Sequence, residues 1–172
     1  MMQFAYRNNS RHDKAVADQI VREINARKNV YLFGPIGCGK TFLANYLFKC
    51  FFDEHSFKVI NLADADHCEW LTDTDCFDVI MKYRALSLDD VGVERDINEY
   101  GIKSNPFADF INRYYNRALR GEYRPLLFAT SNLTPDELVG KYGARVFSRL
   151  KQLFTFARFT GEDKRELKII GG

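Results

Sequence analysis

The sequence predicts an α/β protein, a three-layer sandwich built on a five-stranded parallel sheet, and three observations lead to this fold class. Short apolar segments with strand character alternate with amphipathic helical segments along most of the chain. One strand is joined to the helix that follows it by a glycine-rich loop, and another strand ends in two adjacent carboxylates. Strands separated by helices pair in parallel through right-handed crossovers, with helices on both faces of the sheet.

The elements can be placed along the chain from hydrophobic periodicity and from helix start signals. Asn105 is a natural N-cap and Pro106 fits the first helical position, so a helix begins there. Residues 91–105 are predicted as a loop. The predicted strands are 30–33, 57–62, 84–90, 125–130 and 153–159. The predicted helices are 13–27, the segment from the glycine-rich loop to about residue 52, one or two short helices before residue 83, the helix from residue 106, and the pair 135–142 and 144–150.

The chain of 172 residues is ample for a single packed core, so we expect one domain. Its predicted parts are an N-terminal extension at 1–12, a core at 13–159 and a basic C-terminal tail at 160–172. No apolar run approaches the roughly 18 residues of a membrane span, and residues 1–14 lack the apolar region of a secretory signal. The four cysteines form no C-x-x-C pair, as is typical of reduced thiols. These features predict a cytoplasmic protein without a membrane partner.

The glycine-rich loop at 34–41 reads GPIGCGKT and matches the phosphate-loop spacing G-x-x-x-x-G-K-[ST]. Glycines let the backbone approach a phosphate chain closely, and the next helix adds the positive end of its dipole. Lys40 would reach the β- and γ-phosphates, and the Thr41 hydroxyl would bind Mg²⁺. The candidate nucleotide-binding residues are Gly34, Pro35, Ile36, Gly37, Cys38, Gly39, Lys40, Thr41 and, directly after the loop, Phe42.

Three later motifs narrow the chemistry, because kinases, GTPases and motor ATPases all have a phosphate loop. The strand LSLDD ends in Asp89, placed to hold Mg²⁺, and in Asp90, placed to orient or deprotonate an attacking water. Asn132 follows the next strand and either contacts the γ-phosphate or only forms a turn. Arg145 and Arg149 lie four residues apart on one side of a helix, where they either serve a neighbouring subunit or are simply solvated.

In order and spacing, GPIGCGKT, LSLDDVGVE, ATSN and YGARVFSRL followed by FTGEDKR resemble the Walker A, Walker B, sensor and arginine motifs of AAA+ ATPases, within the ASCE division of P-loop NTPases. Over residues 30–168 the chain is similar to the DnaC-type helicase loaders and the related IstB transposition ATPases. The resemblance implies ATP and Mg²⁺ as ligands and a slow or partner-stimulated hydrolysis of ATP. It implies these roles: Asp89 on Mg²⁺, Asp90 as the catalytic acid position, Asn132 as sensor, Arg149 as arginine finger, Arg145 as a second basic residue near the interface, and Arg165 as a late arginine near the nucleotide.

The chain departs from the family pattern in three places. Walker B ends in Asp-Asp where most AAA+ proteins have Asp-Glu, which makes Glu94 a rival base. The residues after Phe159 are too few for a helical lid domain, so little or no lid is expected. About 12 residues precede the first predicted helix, whereas loaders commonly carry a separate helicase-binding domain there.

A helicase loader in DNA replication is therefore the expected function, with an IstB-like transposition helper ATPase as the alternative. A viral-type ring helicase and a small-molecule P-loop kinase are less favoured, since a kinase needs an arginine-rich lid and an acceptor pocket. The expected partner is a replicative helicase or a transposase.

Two further partners are predicted from charge. Residues 64–78 hold six acids and no lysine or arginine, while residues 141–168 hold eight basic residues against three acids. Either these regions meet head to tail between copies of the chain, in a ring or spiral, or they are two separately solvated faces. Arg113, Arg117 and Arg120 form a stripe on one helix, near Tyr115, that either binds single-stranded DNA or is only a solvated face.

Overall fold

The computed structural model describes residues 11–99 and 102–160 and contains the predicted five-stranded parallel sheet. In chain order, the second, third, sixth, first and seventh strands lie side by side in this sequence, so the first strand lies between the sixth and the seventh. All four neighbouring pairs are parallel, which confirms the α/β class. The strands are β1 Asn29–Phe33, β2 Phe57–Asn61, β3 Ala85–Val91, β6 Leu126–Ser131 and β7 Phe154–Arg158.

The helices begin and end where the sequence signals predict, within a few residues. The Asn105 side chain accepts the Ala108 N–H at the start of α5, and Thr134 and Glu137 form a reciprocal capping box at the start of α6. Gly143 has φ 79° and ψ 160° inside α6, so the two predicted helices are one element broken at this glycine. The helices are α1 Arg11–Asn25, α2 Lys40–Phe51, α3 Ala65–Thr72, α4 Thr74–Ile80, α5 Pro106–Leu119 and α6 Pro135–Leu153.

The sheet is buried on both faces, and alternate residues of β1 show the division. Val30 and Leu32 belong to a core formed with α1 and α2. Tyr31 belongs to a second core formed with α3, α4, α5 and α6. All three side chains are buried, as expected for a central strand between two helical layers. The described helices include none that is long and apolar enough to cross a membrane.

One element was missed in the sequence. The segment predicted as a loop contains an antiparallel pair, β4 Ile97–Glu99 and β5 Ile102–Ser104, in which Ile97 pairs with Ser104. Strands of three residues are too short for an alternating pattern to be distinguished from a loop.

Candidate functional site

The glycine-rich loop runs from the end of β1 into α2, at the edge of the sheet where the parallel strands end. A side chain at Gly34 is excluded, because a Cβ there would lie 2.0 Å from the Phe159 carbonyl oxygen. Gly37 and Gly39 have φ values of 79° and 98°, in the left-handed region that other residues rarely adopt. The glycines of the motif are therefore required by this backbone path.

Lys40 is the central cation of the loop, and its side chain folds back to contact the loop's own backbone. Its Nζ donates to the carbonyl oxygens of Gly34, at 2.9 Å, and Pro35, at 2.7 Å, and to Asn132 Oδ1, at 2.8 Å. Lys40 is only 6% exposed, and no carboxylate in the described part of the chain forms an ion pair with it. A buried ammonium with only neutral acceptors is costly, so an anionic group such as a phosphate fits this loop.

Asp89, at the end of β3, connects the loop to the next strand. One carboxylate oxygen, Oδ1, accepts hydrogen bonds from the Thr41 hydroxyl, at 2.9 Å, and from the Thr130 hydroxyl. Thr130 was not predicted from the sequence, although it belongs to the ATSN segment that contains Asn132. Hydroxyl and carboxylate oxygens are the ligands that Mg²⁺ prefers. The described residues hold no group of three or more His, Cys, Asp or Glu side chains suited to a metal, so phosphate and water would complete the coordination of Mg²⁺.

Asp90 has an unusual backbone and an unusual acidity. Its φ of 60° lies in the left-handed region, and its N–H donates to Thr130 Oγ1 at 3.1 Å. Burial raises the pKa of its carboxyl, the neighbouring Asp89 raises it further, and Lys40 opposes this shift. A carboxylate with a raised pKa is a better proton acceptor, as a base near the phosphate site requires.

Glu94, predicted as a rival base, lies in a different environment. Its side chain is fully buried and accepts hydrogen bonds from the Gly92 N–H at 2.8 Å, the Asn105 amide at 3.1 Å and the Tyr142 hydroxyl at 2.6 Å. Burial and the Glu94 carboxylate both raise the pKa of Tyr142. Glu94 thus joins the loop after β3 to α5 and α6, and its occupied oxygens leave it poorly placed to take a proton from water.

The predicted site residues fall into two groups. Lys40, Asp89, Asp90 and Asn132 are brought together with the loop, as the contacts above show. Within the described part of the chain, no hydrogen bond joins either predicted arginine to this group. Arg149 donates to Asn112 on α5.

The Arg149 side chain also packs on an aromatic ring of α5. The Arg149 guanidinium carbon lies 5.1 Å from the Tyr115 ring centroid. Arg145 is exposed. Ile36 in the loop and Phe42 directly after it are both 62% exposed. Arg165 lies outside the described residues.

The arginine stripe on α5 is not a free basic surface, because its arginines contact acids and carbonyl groups of the same chain. Binding of single-stranded DNA by this stripe stays a prediction. Arg113 donates to the carbonyl oxygen of Thr72 at 2.9 Å. Arg117 pairs with Asp78 at 3.4 Å and Glu122 at 3.2 Å. Glu122 also pairs with Arg120, the last arginine of the stripe. The sequence does not reveal the contacts with Thr72 and Asp78, because these residues come from distant segments, whereas Glu122 lies just after the helix.

No family model and no curated protein matches the sequence. A crystal structure of the DnaC helicase loader superimposes with a TM-score of 0.67 at 17% identity, covering 91% of this chain and 94% of that one. Domain III of the Thermotoga maritima replication initiation protein DnaA gives 0.56 at 17% identity, over 88% of this chain and 63% of that one.

Two further structures have the same fold. The P-loop NTPase domain of a sigma-54 activator from E. coli gives a TM-score of 0.53 at 14% identity, over 87% of this chain and 98% of that domain. NtrX from Brucella abortus, solved in complex with ATP, gives 0.56 at 14% identity over 92% of this chain, which spans only 39% of NtrX. The chain therefore has the P-loop NTPase fold that the sequence predicts.

Proposed function

We propose that this protein binds ATP with Mg²⁺, hydrolyses it, and acts as a helicase loader of the DnaC type in DNA replication. The observation that carries the ATPase part is that Lys40 and Thr41 at the start of α2 contact Asn132 after β6 and Asp89 of β3, beside the glycine-rich loop. The likeness to the DnaC loader over nearly the whole of both chains supports the loader over other P-loop functions.

The proposed roles follow from the contacts. Lys40 would bind the β- and γ-phosphates, and Thr41 and Asp89 would hold Mg²⁺, which when bound supplies positive charge that neutralises the phosphates. Asp90 accepts the proton of the attacking water. Asn132 accepts its hydrogen bond from Lys40, so a phosphate that engages Lys40 frees the amide to contact that phosphate or the water. This exchange of partners makes Asn132 a sensor of the bound nucleotide.

The remaining roles are proposed from the sequence. Arg149 or Arg145 completes the site of a neighbouring copy, and Arg165 lies near the nucleotide. The copies stack head to tail, the whole chain is one ATP-binding domain, and it works in the cytoplasm. A replicative helicase is the partner for a loader, whereas a transposase would be the partner for an IstB-like ATPase.

ATP binding is tested by thermal shift with the Lys40→Ala variant. At about 100 times its Kd, a ligand stabilises the folded protein by roughly 2.7 kcal/mol, which for a chain of this size raises Tm by about 5–10 °C. We expect this shift in the wild type and in Lys49→Ala, an exposed lysine on the same helix, and its loss in Lys40→Ala. Equal shifts in the wild type and Lys40→Ala would refute the proposed site.

The loader function is tested by a pull-down with the purified host replicative helicase, with and without ATP. We expect the wild type to capture the helicase in a nucleotide-dependent manner and Lys40→Ala to lose that dependence. Capture of a transposase in place of the helicase would favour the transposition helper and refute the loader.

A further inference from the structure

A cavity of about 600 Å³ opens at the end of the sheet opposite to the phosphate loop. It is lined by the first residues of three strands, Asn29 of β1, Leu126 of β6 and Phe154 of β7, and by residues just before them. The phosphate loop follows the last residue of β1, four residues from Asn29, or about 13 Å along the strand. The cavity and the phosphate loop share no residue.

The lining of this cavity is strongly basic. Four cations, Arg27, Lys28, Arg124 and Lys151, line it, and no acidic side chain does. Lys28 is partly neutralised by Glu23, whose carboxylate lies 3.5 Å from its Nζ. No ion pair with a described residue neutralises the other three cations.

Aromatic rings support two of these cations without neutralising them. The Arg124 guanidinium carbon lies 5.5 Å from the Tyr114 ring centroid, and Lys151 Nζ lies 5.2 Å from that of Phe147. Such contacts hold the side chain in place while its charge stays available to an anion.

This arrangement differs from the other charged surfaces of the molecule. The arginine stripe on α5 is occupied by internal acids and carbonyl groups. A larger cavity of about 930 Å³ is lined by Glu69, Asp73 and Asp96 with Arg95 as its single basic residue. Cations that remain unpaired around a concave surface are what an anionic ligand needs, and the 600 Å³ cavity has them.

We propose that this cavity binds the phosphate backbone of single-stranded nucleic acid. Its cations come from three separate chain segments, so they suit a row of phosphates better than one phosphate ion. Gln152 accepts the Tyr115 hydroxyl through Oε1, at 2.9 Å, which leaves its amide N–H groups to donate into the cavity. Tyr123, beside Arg124, is 54% exposed with its hydroxyl held by the Tyr83 carbonyl, so its ring offers a face for base stacking.

The experiment measures fluorescence anisotropy of a labelled oligothymidine about 20 nucleotides long, in the absence of ATP. With three unpaired cations each meeting one phosphate, the log–log dependence of affinity on salt has a slope of about −2, and affinity falls roughly 16-fold between about 50 and 200 mM salt. We expect the triple variant Arg27→Gln, Arg124→Gln, Lys151→Gln to lose at least tenfold in affinity at about 50 mM salt, with a slope near zero.

The matched control is the triple variant Lys14→Gln, Lys49→Gln, Lys82→Gln, which removes the same charge from exposed lysines elsewhere. It should keep its affinity within about twofold if the cavity itself is the site. Circular dichroism and the ATP-induced thermal shift should be unchanged in the cavity variant, which separates loss of binding from loss of folding.

Four results would overturn the proposal: no strand binding by the wild type, equal losses in the two triple variants, displacement of the strand by millimolar inorganic phosphate, or a changed sedimentation coefficient in the cavity variant with unchanged strand affinity. The third would show a small-anion site and the fourth an interface between copies. Because the proposal does not depend on hydrolysis, its failure with an intact ATP shift leaves the proposed ATPase standing.

Discussion

The proposal that Arg149 completes the site of a neighbouring copy can be tested against the cost of releasing this side chain from its contacts. Arg149 matches the position of the arginine finger, yet its guanidinium donates to Asn112 and lies over the Tyr115 ring. Arg145, one turn earlier, is exposed and has no hydrogen bond or ion pair with a described residue. To reach another subunit, Arg149 has to leave its partners on α5, whereas Arg145 does not.

The free energy that it costs to release Arg149 can be compared with the free energy by which a finger lowers the barrier to hydrolysis. A hydrogen bond to a charged group contributes about 1.5–3 kcal/mol, and a cation–π contact at a partly exposed site about 0.5–1 kcal/mol. Releasing Arg149 therefore costs about 2–4 kcal/mol. A finger that accelerates hydrolysis 10³–10⁵-fold lowers the barrier by about 4–7 kcal/mol. The gain is equal to or larger than the cost, so Arg149 can serve as the finger once copies assemble.

The assay mixes Arg149→Ala with Asp90→Asn, each inactive alone, and follows phosphate release. Mixed assemblies should recover activity where an intact Asp90 site meets an intact Arg149. Asn112→Ala should raise the activity of the assembled protein by up to about 10–100-fold, because it removes the release cost. Arg145→Ala is mixed with Asp90→Asn in the same way. If this mixture recovers activity and the mixture with Arg149→Ala does not, Arg145 is the finger.

Two results would contradict the role of Arg149 as a finger. If no ratio of Arg149→Ala to Asp90→Asn recovers activity, and wild-type specific activity is independent of protein concentration, Arg149 does not belong to a shared site. If Asn112→Ala lowers Tm without raising activity, the contact with α5 is structural only.

Three further predictions concern stability. Tyr142→Phe removes the 2.6 Å hydrogen bond to the buried Glu94 carboxylate and should lower stability by about 1.5–3 kcal/mol, seen as a drop in Tm of about 3–12 °C; a change under 1 °C would contradict it. Burial raises the pKa of Tyr31, Tyr114 and Tyr142, so the folded state keeps protons that the unfolded chain loses above about pH 10. Stability should then fall with rising pH by up to about 4 kcal/mol per pH unit, measured by urea unfolding, and a flat profile from pH 10 to 11 would exclude this. Asp90→Asn should raise Tm at pH 7, because the raised pKa of Asp90 means that its ionised carboxylate destabilises the folded state. Asparagine also tolerates the φ of 60° at this position. The gain in Tm should shrink as pH falls and Asp90 of the wild type becomes protonated.

Structural features that depend on consecutive residues, such as turns and helix ends, could be predicted from the sequence. The spacing of GPIGCGKT predicts the turn around Lys40 because those glycines and that lysine act on a backbone path of eight residues. Asn105 predicts the start of α5, and Gly143 the break in α6, for the same reason. The alternation of strands and helices was enough for the sheet class, since parallel pairing follows from the crossovers.

Contacts between distant segments could not be predicted in this way. Asp78 pairs with Arg117 of the arginine stripe although the two lie 39 residues apart, and no periodicity relates them. The hairpin of β4 and β5 is too short to carry a pattern.

The sequence by itself determined the fold class, the phosphate loop and the residue types of the candidate site, because these depend on neighbours along the chain. Only the tertiary structure decided which charges remain available. It buried Glu94 among three donors, held Arg149 against α5, and gathered Arg27, Arg124 and Lys151 around one cavity. The physical reason is that a charge acts through space and not along the chain, and folding brings residues as far apart in sequence as 27 and 151 to the same cavity.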